Sequence, residues 1–208
     1  MADRESAVSA DAFRAVIDVV VFSKDRSFQL SETLRSLHAN VIVPTLDCSD
    51  GGVQFRVTVL FKATSPRLQE SYNAIEEHWR PKLFVSFVEE TDFEAQLWDA
   101  VVRPTAKLEA ATPRFVMFTV DDAYFVRPWD AAGALRILHE DPHVYAYHVK
   151  LHPAITYSHP ADKILSLPAL RRTSHESDDG SFVFTRAEGT YDWNYPWDLA
   201  GFVSFLCC

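Results

Sequence analysis

The sequence predicts an α/β fold, with helices on the faces of a largely parallel, mixed sheet. Three observations predict it. Apolar runs of strand length recur along the chain. The segments between most of them carry the three-to-four-residue apolar spacing of amphipathic helices. The first and fourth runs are apolar almost throughout, which suits strands covered on both faces of a parallel sheet.

The first strand is Val16 to Phe22, broken only by Asp18, and it ends at Ser23-Lys24-Asp25-Arg26. A helix follows with Phe28, Leu30, Leu34 and Leu37 apolar, and Ser27 is positioned to cap it. A loop from Asp47 to Gly52 leads to the second strand, Phe55 to Phe61, where Val57, Val59 and Phe61 alternate. Ser65-Pro66 opens a helix through Leu68, Tyr72, Ile75 and Trp79, with Pro81 beyond its end. Leu83 to Val88 is the third strand. Thr91 or Asp92 caps the next helix, through Phe93, Leu97 and Val101, which Pro104 closes. The fourth strand, Phe115 to Val120, ends in Asp121-Asp122. A helix from about Pro128 to His139 and a fifth strand, Val144 to Leu151, complete the alternation. Pro153 to Asp179 reads as a long loop, and Ser181 to Thr185 as a short strand before the aromatic segment Tyr191 to Trp197.

Composition narrows the function. The 208 residues suffice for one sizeable core. A net charge of −9 argues against a general nucleic-acid binder, which needs clustered Lys and Arg. Residues 1–15 form a polar tail without a signal-peptide core, and no segment matches the length and apolarity of a membrane span. Cys48, Cys207 and Cys208 make neither a disulfide framework nor a zinc motif, so a cytoplasmic setting is the expectation.

The chemistry is expected at the strand ends, because open α/β sheets bind ligands outside their carboxyl edge. Ser23 to Arg26, Lys62 to Ser65, Glu89-Glu90 and Asp121-Asp122 all fall there. Two adjacent carboxylates after the run Phe115 to Val120, apolar but for Thr119, repel one another unless solvent or a cation relieves them. Mg²⁺ or Mn²⁺ suits such hard oxygen ligands and completes its shell with water and substrate phosphates. A solvated turn is the plainer reading of the same pair. His148, Lys150 and His152 alternate along the fifth strand and so share a face, where a solvated row accounts for them as well as ligation does. His38, His78, His139 and His143 fall near helix ends, where a dipole-compensating place suffices.

Phe118-Thr119-Val120-Asp121-Asp122-Ala123-Tyr124-Phe125 resembles the DxD-type metal motif of GT-A glycosyltransferases; Val120 stands where a strict DxD has its first carboxylate. Val16 to Arg26 resembles the opening strand and loop of such enzymes. Tyr191 to Gly201 resembles the aromatic acceptor-side segment of their bacterial-type, family-two-like members. The resemblance implies a GT-A or Rossmann-like nucleotide-diphospho-sugar transferase fold. Residues 16–128 would be the nucleotide-binding half and 129–208 an acceptor-side half, incomplete at its end. It further implies that Asp122 ligates a divalent metal (Mn²⁺ or Mg²⁺), while Asp121 shares the ion or faces the ribose. Ser23, Asp25 and Arg26 would lie by the base or diphosphate of a nucleoside-diphosphate sugar, the donor for an unidentified hydroxyl acceptor.

An inverting transfer needs a carboxylate to take the acceptor's proton. Asp198 is the expected base, with Asp192 as its substitute, among Trp193, Tyr195 and Trp197, which could stack on a sugar. Equally, these aromatics could be core and Asp198 a helix cap. Phe202 to Cys208 is an apolar run without a polar close, and the expectation is a shortened chain whose exposed end would associate or aggregate. Two other readings stay open: a non-catalytic nucleotide- or sugar-binding module of the same fold, and, last, a nucleotidyltransferase. The latter class usually has a Gly-rich first loop, whereas Ser23 to Ser27 has no glycine.

Overall fold

The computed structural model describes residues 13–48, 52–82, 85–102, 112–159, 161–173, 181–194 and 201–205. Four strands are parallel: β1 (Ala15–Lys24), β2 (Val53–Lys62), β3 (Val85–Glu89) and β4 (Arg114–Val120). The helices are α1 (Ser27–Leu37), α2 (Val43–Cys48), α3 (Pro66–Trp79), α4 (Phe93–Val101) and α5 (Ala132–Glu140). Beyond them come β5 (Ala146–His148), β6 (Tyr157–Ser158), β7 (Lys163–Ile164), β8 (Arg171–Arg172), β9 (Phe182–Val183) and β10 (Gly201–Phe205). The main sheet runs β3-β2-β1-β4-β10-β5, with β10 antiparallel to both neighbours. This is the expected α/β architecture of a GT-A or Rossmann-like sheet.

β1 is central and buried because both of its faces are covered. Ala15, Ile17, Val19 and Val21 join Leu30, Leu34 and Leu37 of α1, Tyr72 and Trp79 of α3, and Leu135 and Leu138 of α5. The opposite face, through Val20, packs with Val116 and Val101 at the end of α4. Each Val, Ile or Leu among them contributes about 1.5–3 kcal/mol when fully buried relative to exposure. Asp18, the break in the first apolar run, is buried on that second face. Arg56 grips it from β2 through two bonds of 2.7 and 2.8 Å, and Arg114 from β4 through one of 2.5 Å. Arg114 also donates to the Val101 carbonyl, so one carboxylate ties three strands and a helix end together.

Several expectations are corrected. The fifth strand, expected over Val144 to Leu151, has only three residues, because its partner β10 reaches only Ala146 to His148. The chain then turns where Ile155 N–H meets the His152 carbonyl, so His148, Lys150 and His152 do not form one strand row. Phe202–Phe205, the first part of the apolar run from Phe202 to Cys208, are strand residues inserted between β4 and β5, and Leu206 to Cys208 lie outside the described residues. Pro153 to Asp179 includes a β6–β7 ladder and the strand β8, which pairs with β9. Helix α5 begins at Ala132, not near Pro128, since Trp129 and Ala131 are drawn against α2 and the turn before it.

Ser27 does not cap α1: Arg26 occupies the cap position and no side chain bonds there. Ser65 caps α3, the helix that Ser65-Pro66 was expected to open, and of Thr91 and Asp92 it is Asp92 that caps α4; they accept from Leu68 N–H and Ala95 N–H. Between α1 and α2, His38–Ile42 widens into a π-turn just before Pro44. Proline has no N–H for the carbonyl four residues back, and that carbonyl, Asn40, accepts Trp129 N–H at 2.7 Å instead.

Candidate functional site

The parallel register sets the site. Ser23 follows Phe22, whose partner on β4 is Val120, so the residue after β4 lies beside the end of β1. Asp121 N–H extends that ladder by one bond, 3.0 Å to the Phe22 carbonyl. Asp121 is thereby held with 5% of its surface exposed, beside Ser23 at 7%. A carboxylate this buried needs hydrogen bonds, and it receives a directed chain of them. Ser23 Oγ donates to Asp121 Oδ2 at 2.8 Å. Arg26 N–H donates to the Tyr72 hydroxyl at 3.0 Å. The Ser23 proton is committed to Asp121, so in the 2.7 Å contact between Ser23 and Tyr72 the phenol is the donor.

Tyr72 is the buried anchor of this chain. It comes from α3 and stacks on Phe61 of β2, centroids 4.4 Å apart. Burial pushes its phenol above the ordinary value of 10.0, and the carboxylates of Asp121 and Asp25 add to the rise, while the bond accepted from Arg26 N–H acts the other way. It stays protonated, as a donor to Ser23 must.

Asp122 faces outward. Its Oδ2 lies 2.7 Å from Arg26 NH1, which is also 3.6 Å from Asp121 Oδ1, and the Arg26 and Asp122 side chains are each 52% exposed. The guanidinium therefore relieves the repulsion within the carboxylate pair. Asp25 adopts a left-handed backbone, φ 58°, which aspartate tolerates better than most residues. Its oxygens accept Thr64 N–H at 2.8 Å and the Thr64 hydroxyl at 2.9 Å, bolting the β1 loop to the end of β2.

The segment after the acid pair is laced to the neighbouring helical stretch. Thr33 Oγ1 donates to the Asp121 carbonyl at 2.7 Å, and Ser36 Oγ accepts Phe125 N–H at 3.2 Å. The Asn40 amide donates to the Phe125 carbonyl, and Thr45 Oγ1 accepts Ala131 N–H at 2.9 Å. Sequence reasoning passed over these four residues and Tyr72. Thr33, Ser36 and Asn40 recur at helical spacing beside the apolar face, and that was the available signal.

Ser23, Asp25, Arg26, Asp121 and Asp122 thus converge on one edge of the sheet. Asp198 lies outside the described residues. Asp192 sits in a 3₁₀ turn, Tyr191–Trp193, and its Oδ2 is buried with no hydrogen-bond partner among the described residues.

Asp121 and Asp122 present carboxylate oxygens on adjacent residues, and among the described residues no group of three or more His, Cys, Asp or Glu forms a metal cage. Two carboxylates suit a Mg²⁺- or Mn²⁺-type ion that takes its remaining ligands from water and phosphate. Asp121 Oδ2 is engaged by Ser23, and the oxygens facing Arg26 are the ones left for an ion. The donor set fits a hard cation arriving with a diphosphate, provided that Arg26 gives up its bridging position. Among the described residues, no helix is long and apolar enough to cross a membrane.

No family model matches the chain. It is 30% identical over 188 residues to the bifunctional glycosyltransferase pgtA of Dictyostelium discoideum. The match takes in 88% of this chain and 23% of pgtA, so the chain spans about a quarter of the length of that relative.

Proposed function

We propose that this chain is the donor-binding part of a glycosyltransferase, moving a sugar from a nucleoside-diphosphate sugar to an acceptor hydroxyl. The observation that carries the reading is the buried, hydrogen-bonded Asp121 beside exposed Asp122 at the carboxyl end of an interior strand. Similarity to a glycosyltransferase over most of the chain supports it.

In this reading Asp121 and Asp122 hold a divalent metal, which supplies positive charge for the departing diphosphate. Tyr72 and Ser23 fix the rotamer of Asp121, so that its carboxylate is oriented before the donor arrives. Arg26, released from the carboxylates, turns its guanidinium to a phosphate, for which its planar fork is suited. Asp25 shapes the loop that faces the donor. The proton of the acceptor hydroxyl passes to a carboxylate, Asp198 or Asp192, with inversion at the anomeric carbon.

Calorimetric titration with UDP and GDP, with and without Mn²⁺, tests the reading. The expected result is Mn²⁺-dependent binding of at least one nucleotide, with transfer or slow hydrolysis of the matching sugar nucleotide. Metal-dependent binding without turnover would identify a binding module of the same fold. Absence of nucleotide binding under every condition overturns the proposal.

A further inference from the structure

A second concave site lies along the same sheet, between edge strand β5 and the β8–β9 pair: a cavity of about 450 Å³. That size is within the range of small-molecule pockets. Trp129 and Tyr147 on its wall are stacked, centroids 5.9 Å apart and planes 23° from parallel. Trp193 lies edge-on to Phe184 at 5.2 Å. Trp193 is only 4% exposed, yet its indole N–H has no hydrogen-bond partner among the described residues. The Thr173 hydroxyl, also on the wall, is buried and unpartnered in the same sense. A buried donor left unpaired costs about 1–3 kcal/mol, so two of them in one cavity call for a ligand that brings acceptors.

The chemistry of the wall selects the ligand. Among the described lining residues Arg186 is the one permanently charged side chain, so a diphosphate would find little compensation there. Flat aromatic faces, unpaired neutral donors and a Tyr147–Ser181 hydroxyl pair 2.6 Å apart suit a neutral molecule with apolar C–H faces and many oxygens. A pyranose ring has both. Its place follows from the register: Gly201 of β10 pairs with Phe118 of β4 and with His148 of β5. His148 is thus level with Phe118, two strand spacings away, and Asp121 lies three residues further along. The separation from the acid pair is on the order of 15 Å along the same carboxyl edge.

We infer that this cavity holds a pyranose ring of the acceptor, making the acceptor a saccharide. The inference rests on the transferase reading. It gives the donor its place at Asp121 and Asp122 and the acceptor sugar its place against Trp129, Tyr147 and Trp193.

Saturation-transfer NMR of the whole chain with methyl pyranosides (gluco, galacto, manno and N-acetylgluco), without nucleotide or metal, tests it. At least one is expected to bind saturably. Trp193→Phe, which keeps a ring and removes the N–H, is expected to weaken that binding about fivefold, as is Thr173→Val, while both variants keep their nucleotide titration. No saturable pyranoside, or affinity unchanged in both variants, overturns the inference. Pyranoside binding by a chain that binds neither UDP nor GDP with Mn²⁺ overturns its acceptor role and the transferase reading together. Nucleotide binding without pyranoside binding overturns the cavity assignment alone.

Discussion

At the scale of single residues, the site is built from one buried carboxylate and one exposed one, and their environments separate their roles. Among the described residues Asp122 is paired with Arg26 at the exposed rim, so Asp122→Ala is expected to keep the fold and remove the Mn²⁺-dependent part of nucleotide affinity. Titration of that variant with and without Mn²⁺ checks this, and unchanged metal dependence would remove the role. Asp121 instead depends on Ser23 and Tyr72. Tyr72→Phe leaves the Arg26 N–H and the Ser23 hydroxyl without their partner, and is expected to cost about 1–3 kcal/mol in urea unfolding. Nucleotide affinity should fall with it, because Asp121 loses its fixed orientation. The acid pair was legible in the sequence as an interruption of an apolar run. Its support was not, since Tyr72 is one of several aromatics on an ordinary amphipathic helix and nothing local marks it as a partner of Ser23.

At the scale of elements, the loop from Asp121 to Ala131 is held largely by polar groups of the neighbouring helical stretch, in addition to its own turn bonds. Asn40 has the largest share, engaging Phe125 with its amide and Trp129 with its carbonyl. Asn40→Ala is expected to destabilise the chain by about 1–2 kcal/mol by removing the amide bond. Faster amide exchange confined to residues 123–131 would distinguish a loosened loop from global unfolding. Gly189 plays a steric part beside the cavity: a methyl there would lie 2.5 Å from the Trp193 carbonyl oxygen and 2.7 Å from its carbon. Because those atoms are backbone, Gly189→Ala must displace the Tyr191–Trp193 turn, at an expected cost of about 1–3 kcal/mol. Thermal or urea unfolding checks the cost, and a loss of pyranoside binding would accompany it. The caps at Ser65 and Asp92 were readable because a cap needs only its own next three residues. The start of α1 was not, because the turn there is set by Asp25 and by Tyr72 from another helix.

At the scale of the whole molecule, Asp18 joins β1, β2 and β4 across the buried face of the sheet. Asp18→Asn takes the negative charge from a carboxylate that both Arg56 and the 2%-exposed Arg114 grip, so a loss of about 3–5 kcal/mol is expected, measurable by urea unfolding. An unchanged midpoint would mean that solvent reaches Arg114 in the variant. Alkaline pH bears on the whole fold through Tyr72. Its folded phenol titrates above the unfolded value, so the folded state holds the proton longer. The resulting stability is complete below the unfolded value near 10 and fades as pH rises through the higher folded one. Tyr72→Phe should flatten that alkaline limb, and an identical pH dependence in both chains would exclude Tyr72 as its source.

The sequence by itself determined the elements and their class: four strands and the helices between them, two caps, and the acidic pair at the end of an interior strand. Those features follow from periodicity and from contacts a few residues long, which the chain carries locally. Tertiary structure decided which residues meet. It set Ser23 against Asp121 and Tyr72, Arg26 between two carboxylates, β10 between β4 and β5, and the π-turn carbonyl of Asn40 on Trp129. Strand order and register are choices among long-range pairings that leave no local pattern, so the same apolar runs fit several orders equally well until the packed sheet selects one.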